Sequence, residues 1–197
     1  GYVKSDNGLI GSLAICTTNH NNGLLNADIS RLASRDFADA LLNGEIEDIK
    51  YKYGKWNRRE IYDRNYSETR VPDVPSAILE TMSHQNFPDM RMGQDPHFRF
   101  TLARSIYKSI LRYVSEQHKT PYVVSPLAPT NFRMEFKNND EIELSWTAVN
   151  DPQEPSASPT GYVLYTAMDG AAFDNGIYIH SKNSHRIKLT PDVLYHF

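Results

Sequence analysis

Three prolines, Pro121, Pro126 and Pro129, fall in one short stretch of this 197-residue chain and separate two different periodicities. Proline fixes φ and has no N–H to donate, so residues 120–129 cannot carry a helix and favour an extended linker. Upstream, apolar residues recur at helical spacing between isolated strand-like runs. Downstream, β-type runs arrive roughly every ten residues with turn signals between them. We therefore expect an α/β domain over 1–119, a linker at 120–129 and an all-β sandwich over 130–197.

Within the first part, Val74-Pro75-Ser76-Ala77-Ile78-Leu79-Glu80 reads as a buried, parallel-type strand that presents Glu80 at its C-terminal end, where open α/β sheets hold ligands. Residues 9–18 predict another strand, with Cys16 as a buried structural thiol. Ile29, Leu32, Ala33, Phe37, Ala40 and Leu41 predict a helix over 27–42 that Asn43-Gly44 ends. The alternation in Ile49-Lys50-Tyr51-Lys52-Tyr53 predicts a half-exposed strand, and 56–70 a charged, aromatic-rich surface loop with a short helix or strand at its centre. A loop follows at 81–94. Asp95 then caps a helix begun by Pro96 and running to about 117, with Phe98, Leu102, Ile106, Ile110 and Val114 on its apolar face.

Composition narrows the function classes. A net charge of −3 offers no basic stripe for nucleic acid, and no apolar run approaches the ~20 residues of a bilayer-crossing helix. With one cysteine there is no disulfide framework. No signal peptide is visible, and the opening Gly1 predicts a natural start farther upstream.

Glu80 is the candidate catalytic residue, since amide hydrolysis needs a carboxylate that takes a proton from water and passes it to the leaving nitrogen. A glutamate ending an apolar strand is more often solvated or salt-bridged, and a lone His84 is more often a hydrogen-bonded structural residue than a ligand. Arg70 closes the charged segment at 56–70, a kind of segment that often carries binding residues, although a solvated connector is the commoner fate of each arginine. Trp56, Tyr62 and Tyr66 have the form to stack on sugar rings, yet buried packing is the more frequent fate of such aromatics. No histidine shows metal-ligand spacing.

The order Pro75, Ile78 or Leu79, Glu80, Asn86, Asp95-Pro96, then Ala103 with Ile106, resembles the C-terminal part of zinc-dependent N-acetylmuramoyl-L-alanine amidases. It resembles them in the variant found with fibronectin-like modules in exported Bacteroidetes proteins often labelled xanthan lyases. The resemblance spans about 9–117 and implies a partial amidase-like sheet with flanking helices. It puts Glu80 on the catalytic glutamate and makes His84, Asn86 and Arg70 substrate-binding candidates, although His84 stands where the family usually has an apolar or small residue. The family's His, Glu and His ligands lie upstream of the strand that Leu13–Cys16 resembles. Zinc is thus expected in the intact parent and not held tightly by this chain, which alone would be inactive.

The second part resembles fibronectin type III. Pro129–Phe132 matches its first strand, Ile142-Glu143-Leu144-Ser145-Trp146 the second with its core tryptophan, Gly161-Tyr162-Val163-Leu164-Tyr165 the third, and Tyr195 its tyrosine corner. That resemblance implies a sandwich truncated at its C-terminus. Together they imply a secreted, periplasmic or cell-surface hydrolase whose partner is peptidoglycan or another glycan. The alternative is a non-catalytic glycan-binding or surface-interaction module, or a protein associated with xanthan lyase activity.

Overall fold

A computed structural model describes residues 3–197. The chain divides into two compact units, the first reaching Tyr122 and the second running Val123–Phe197.

The first unit is mixed α/β and is built around β1, Ser12–Cys16, whose five residues are all buried. Helix α1, Leu32–Tyr53, lies over it. Strand β2, Arg58–Asp63, pairs with β1 in parallel, and β3, Ile78–Glu80, pairs with its other edge antiparallel, giving the order β2-β1-β3. Between these strands is α2, Ser67–Arg70, a single turn. After β3 come α3, Phe87–Gly93, and α4, Pro96–His118, which packs along α1. Ala14 and Cys16 of β1 meet Ala38, Leu42, Ile46 and Ile49 of α1, with Trp56 and Phe98 closing the core. Full burial of each such aliphatic side chain contributes about 2 kcal/mol.

Several sequence expectations change here. Helix α1 does not stop at 42: it runs through Gly44 to Tyr53, so the strand expected at 49–53 is its last turns. A Cβ on Gly44 would lie 2.0 Å from Ser109 Oγ and 3.2 Å from Ser109 Cβ, so the glycine permits close approach of α4 instead of ending the helix. Before α1, residues Asn26–Asp28 form a 3₁₀ turn. The loop expected at 81–94 contains α3, started by Pro88 in its first turn. Strand β3 is antiparallel and half exposed where a buried parallel strand was expected.

Helix α4 begins as expected, with Asp95 accepting from the His97 backbone N–H at 2.9 Å. Its buried face is not the expected apolar stripe. Phe98 is buried, but Ile110 is 40% exposed and Val114 45%, while Ser105, Lys108 and Ser109 are buried. Small side chains let the helices approach at Gly44, and Lys108 Nζ meets the Asp48 carboxylate of α1 at 2.9 Å.

Gly44→Ala therefore sets an overpacking penalty of about 2 kcal/mol against a helix-propensity gain of about 1, for a net loss near 1 kcal/mol. Adding Ser109→Ala removes the clashing Oγ and should restore most of that loss. Urea unfolding of both variants reads the difference, and a Gly44→Ala variant more stable than the parent would contradict the close packing.

The second unit is built from short antiparallel strands. These are β4, Thr130–Phe136; β5, Glu141–Thr147; β6, Gly161–Leu164; β7, Ala167–Met168; β8, Ile177–His180; β9, Ser184–Lys188; and β10, Tyr195–His196. They form the sheets β4-β5-β9, β6-β8 and β10-β7. The third strand, expected over 161–165, ends at Leu164, and β7 begins at Ala167. Along β5 burial alternates, sending Ile142, Leu144 and Trp146 into a core shared with Leu164 and Ile179. Tyr195 Oη accepts from the Thr190 backbone N–H at 3.1 Å, which holds its phenol below the usual tyrosine range.

Candidate functional site

Glu80 is the last residue of β3, opposite Leu13 near the amino end of β1. Antiparallel pairing thus places it away from the carboxyl edge of the parallel pair β1–β2. Its side chain is exposed and has no hydrogen-bond or ion-pair partner among the described residues. His84 is exposed in the turn after β3 and likewise unpartnered. The two share one end of the strand.

Asn86 is close in sequence but differently used. It is 1% exposed, and its Nδ2 donates to Gly8 O and Asp89 Oδ1 at 3.1 Å each, while its Oδ1 accepts from the Lys4 backbone N–H at 3.4 Å. Its polar atoms are already committed to the fold. Arg70 sits at the other end of the sheet, where Arg31 Nη2 donates to its carbonyl at 2.9 Å and Thr69 Oγ1 bonds Thr17 Oγ1 at 2.6 Å, just past β1. Four residues of strand separate Leu13 from Thr17, or roughly 13 Å, so the structure does not bring Arg70 to Glu80.

The carboxyl edge of β1–β2 gathers other polar groups. Asp63 accepts from the Thr18 backbone N–H at 3.1 Å and from Thr18 Oγ1, and the Arg64 guanidinium lies over the Tyr62 ring at 5.1 Å. Burial pushes the Cys16 thiol up, the Asp63 carboxylate adds to the rise, and Arg35 opposes it. A thiol held protonated in this way is a poor nucleophile.

Two fully buried carboxylates escaped the sequence reading. Asp89 is fully buried and accepts backbone N–H bonds from Ile10 at 2.9 Å, Gly11 at 3.2 Å and Ser83 at 2.9 Å. It thereby fixes the turn that carries His84. Glu45 of α1 is also fully buried and meets Ser12 Oγ, which Trp56 Nε1 reaches at 2.7 Å and which lies 2.7 Å from Thr81 O. Its Oε2 has no partner. Burial raises its carboxyl to about 7, with the Ser12 contact opposing.

The indole can only donate, and the single Ser12 hydroxyl proton has two acceptors within reach, Glu45 Oε1 and Thr81 O, which it cannot serve at once. A proton on Glu45 lets the Ser12 hydroxyl serve Thr81 alone. A neutral carboxyl also tolerates an unpaired buried oxygen far better than a carboxylate does.

Among the described residues no group of three His, Cys, Asp or Glu side chains converges as a metal site. Nor, among them, is any helix long and apolar enough to cross a membrane.

No family model matches the sequence, and no curated protein does. Among solved structures, the chain is similar to an N-acetylmuramoyl-L-alanine amidase from Clostridium difficile 630, with 15% identity and a TM-score of 0.45 over 59% of this chain and 55% of that one. The chain spans about half the length of that amidase. A likeness so distant leaves function to be argued from the residues.

Proposed function

We propose that this chain is the glutamate-bearing part of an amidase-like hydrolase that acts outside the cell on an amide of peptidoglycan, followed by a fibronectin type III-like module. One observation carries the reading: a strand ends in an exposed carboxylate that nothing else in the described chain occupies. Glu80 has kept its oxygens free.

In the proposed reaction Glu80 accepts a proton from water as the oxygen bonds to the amide carbon, then delivers it to the nitrogen as the C–N bond breaks. His84 stands in the adjoining turn as a substrate-facing donor. Asn86 and Asp89 act through the backbone, holding that turn. Arg70, across the sheet, is removed from this chemistry. The zinc of such a reaction would polarise the carbonyl and the water.

For the second unit, the order β4-β5-β9, the buried Trp146 and the Tyr195–Thr190 hydrogen bond support the fibronectin-like reading.

The test is Glu80→Gln in the full-length parent. The amide matches the carboxylate in volume but cannot take the proton, so turnover on peptidoglycan should fall by ~100-fold or more. Because Glu80 has no partner, the unfolding midpoint should not move. Unchanged turnover per folded molecule would remove Glu80 from the reaction.

A further inference from the structure

Beside β2 runs a groove of about 840 Å³ whose charge opposes that of the chain as a whole. Lys4, Lys50, Arg58 and Arg59 line it against one carboxylate, Glu60. These cations come from three separate segments: the N-terminal stretch, the end of α1 and β2. Arg58 is engaged with Asp39 and Asn43. The ammonium groups of Lys4 and Lys50, by contrast, have no hydrogen-bond or ion-pair partner among the described residues. Two uncompensated ammonium groups over a partly apolar floor make a site for an anion.

The lining also selects among anions. A sugar ring needs an open aromatic face, and neither aromatic here offers one. Trp56 is 1% exposed with its N–H given to Ser12, and the Tyr62 ring carries Arg64. A peptide finds more, because β2 is an edge strand whose outer N–H and C=O groups pair with no other strand of the described chain. The register slips between Ser12↔Arg58 and Ala14↔Ile61, so β2 carries an extra residue there. Such a bulge breaks a long ladder and leaves room for a short one.

We propose that this groove binds a short extended peptide bearing carboxylates, its acids set against Lys4 and Lys50 and its amides against the edge of β2. Glu80 does not line this groove, and the proposal does not rest on the hydrolase reading. The test is calorimetric titration of the chain with an acetylated, amidated pentapeptide of alternating glutamate and alanine. Its glutamine counterpart and a trigalacturonate serve as the other arms. Binding of the glutamate peptide is expected, with an affinity at least about tenfold above either comparator and a similar loss in 0.5 M salt. The double variant Lys4→Ala/Lys50→Ala should weaken it by about tenfold, with its fold checked by circular dichroism. Equal binding of trigalacturonate makes the groove a general anion site and overturns the peptide assignment. Equal binding of the glutamine peptide, no binding, or an unaffected double variant overturns the proposal.

Discussion

Asp89→Ala is expected to lower the stability of the first unit by about 4 kcal/mol, in the range found when one partner of a buried charged network is removed. The carboxylate takes the Ile10, Gly11 and Ser83 backbone N–H groups and the Asn86 amide, all in the interior. Without it these donors are buried and unpaired, at about 1–3 kcal/mol each before relaxation. Gly11 cannot shift to compensate: its φ is +77° and a Cβ there would lie 2.1 Å from Asn57 O. Asp89→Asn keeps the shape but turns one acceptor oxygen into a donor facing donors, and should lose about half as much. Chemical denaturation gives the two values. Hydrogen exchange should show Ile10, Gly11 and Ser83 losing protection together. A loss below ~1 kcal/mol for the alanine variant would mean that this clamp holds nothing.

The second large effect is a pH dependence with an unusual sign. The folded state holds the Glu45 carboxyl at about 7, against an ordinary value of 4.5 once the chain unfolds. The folded state therefore binds the proton more tightly. Stability from this group is fully present below 4.5, declines as pH rises, and levels off above about 7. The total loss is about 3 kcal/mol, from ~1.4 kcal/mol per unit. Glu45→Gln has no such proton to lose. It should match the parent near pH 4.5 and exceed it by about 2 kcal/mol at pH 8, less the imperfect fit of an amide. Parallel stability curves for parent and variant between pH 5 and 8 would contradict a neutral Glu45.

How far the sequence foretold this architecture depends on whether local pattern or tertiary contact decides each element. Helix α4 was legible because Asp95-Pro96 fixes its start and its periodicity is long. The strands of the second unit were legible because Asn138-Asn139-Asp140, Asp169-Gly170 and Asn175-Gly176 punctuate them. Helix α1 was cut short because Asn43-Gly44 reads locally as a stop, whereas Gly44 is there for Ser109, sixty-five positions away. That error hid Glu45: once the helix continues, the residue falls on the buried stripe Ala38, Leu42, Glu45, Ile49. Asp89 had a readable signal, Asn86-Phe87-Pro88-Asp89 at a helix start, but not its distant donors at Ile10 and Gly11.

Among the candidate site residues, Glu80 was read from its strand and its resemblance, and the structure places it exposed at the end of β3. The direction of β3 was beyond local pattern, because three residues of strand read alike whether parallel or antiparallel. With β3 antiparallel, Glu80 lies opposite Leu13 near the amino end of β1, whereas the residue before Arg70 bonds Thr17, just past its carboxyl end. Buried Asn86 could not be told from an exposed binding residue without Asp89 in view.

The reaction itself is the point on which the proposed function stands, and product analysis of the full-length parent on purified peptidoglycan reads it directly. New amino termini should accumulate with time, no unsaturated sugar absorbance should develop, and the Glu80→Gln parent should produce neither. Unsaturated sugar ends released from xanthan, with no new amino termini from peptidoglycan, would contradict the amidase-like reading and put a lyase in its place.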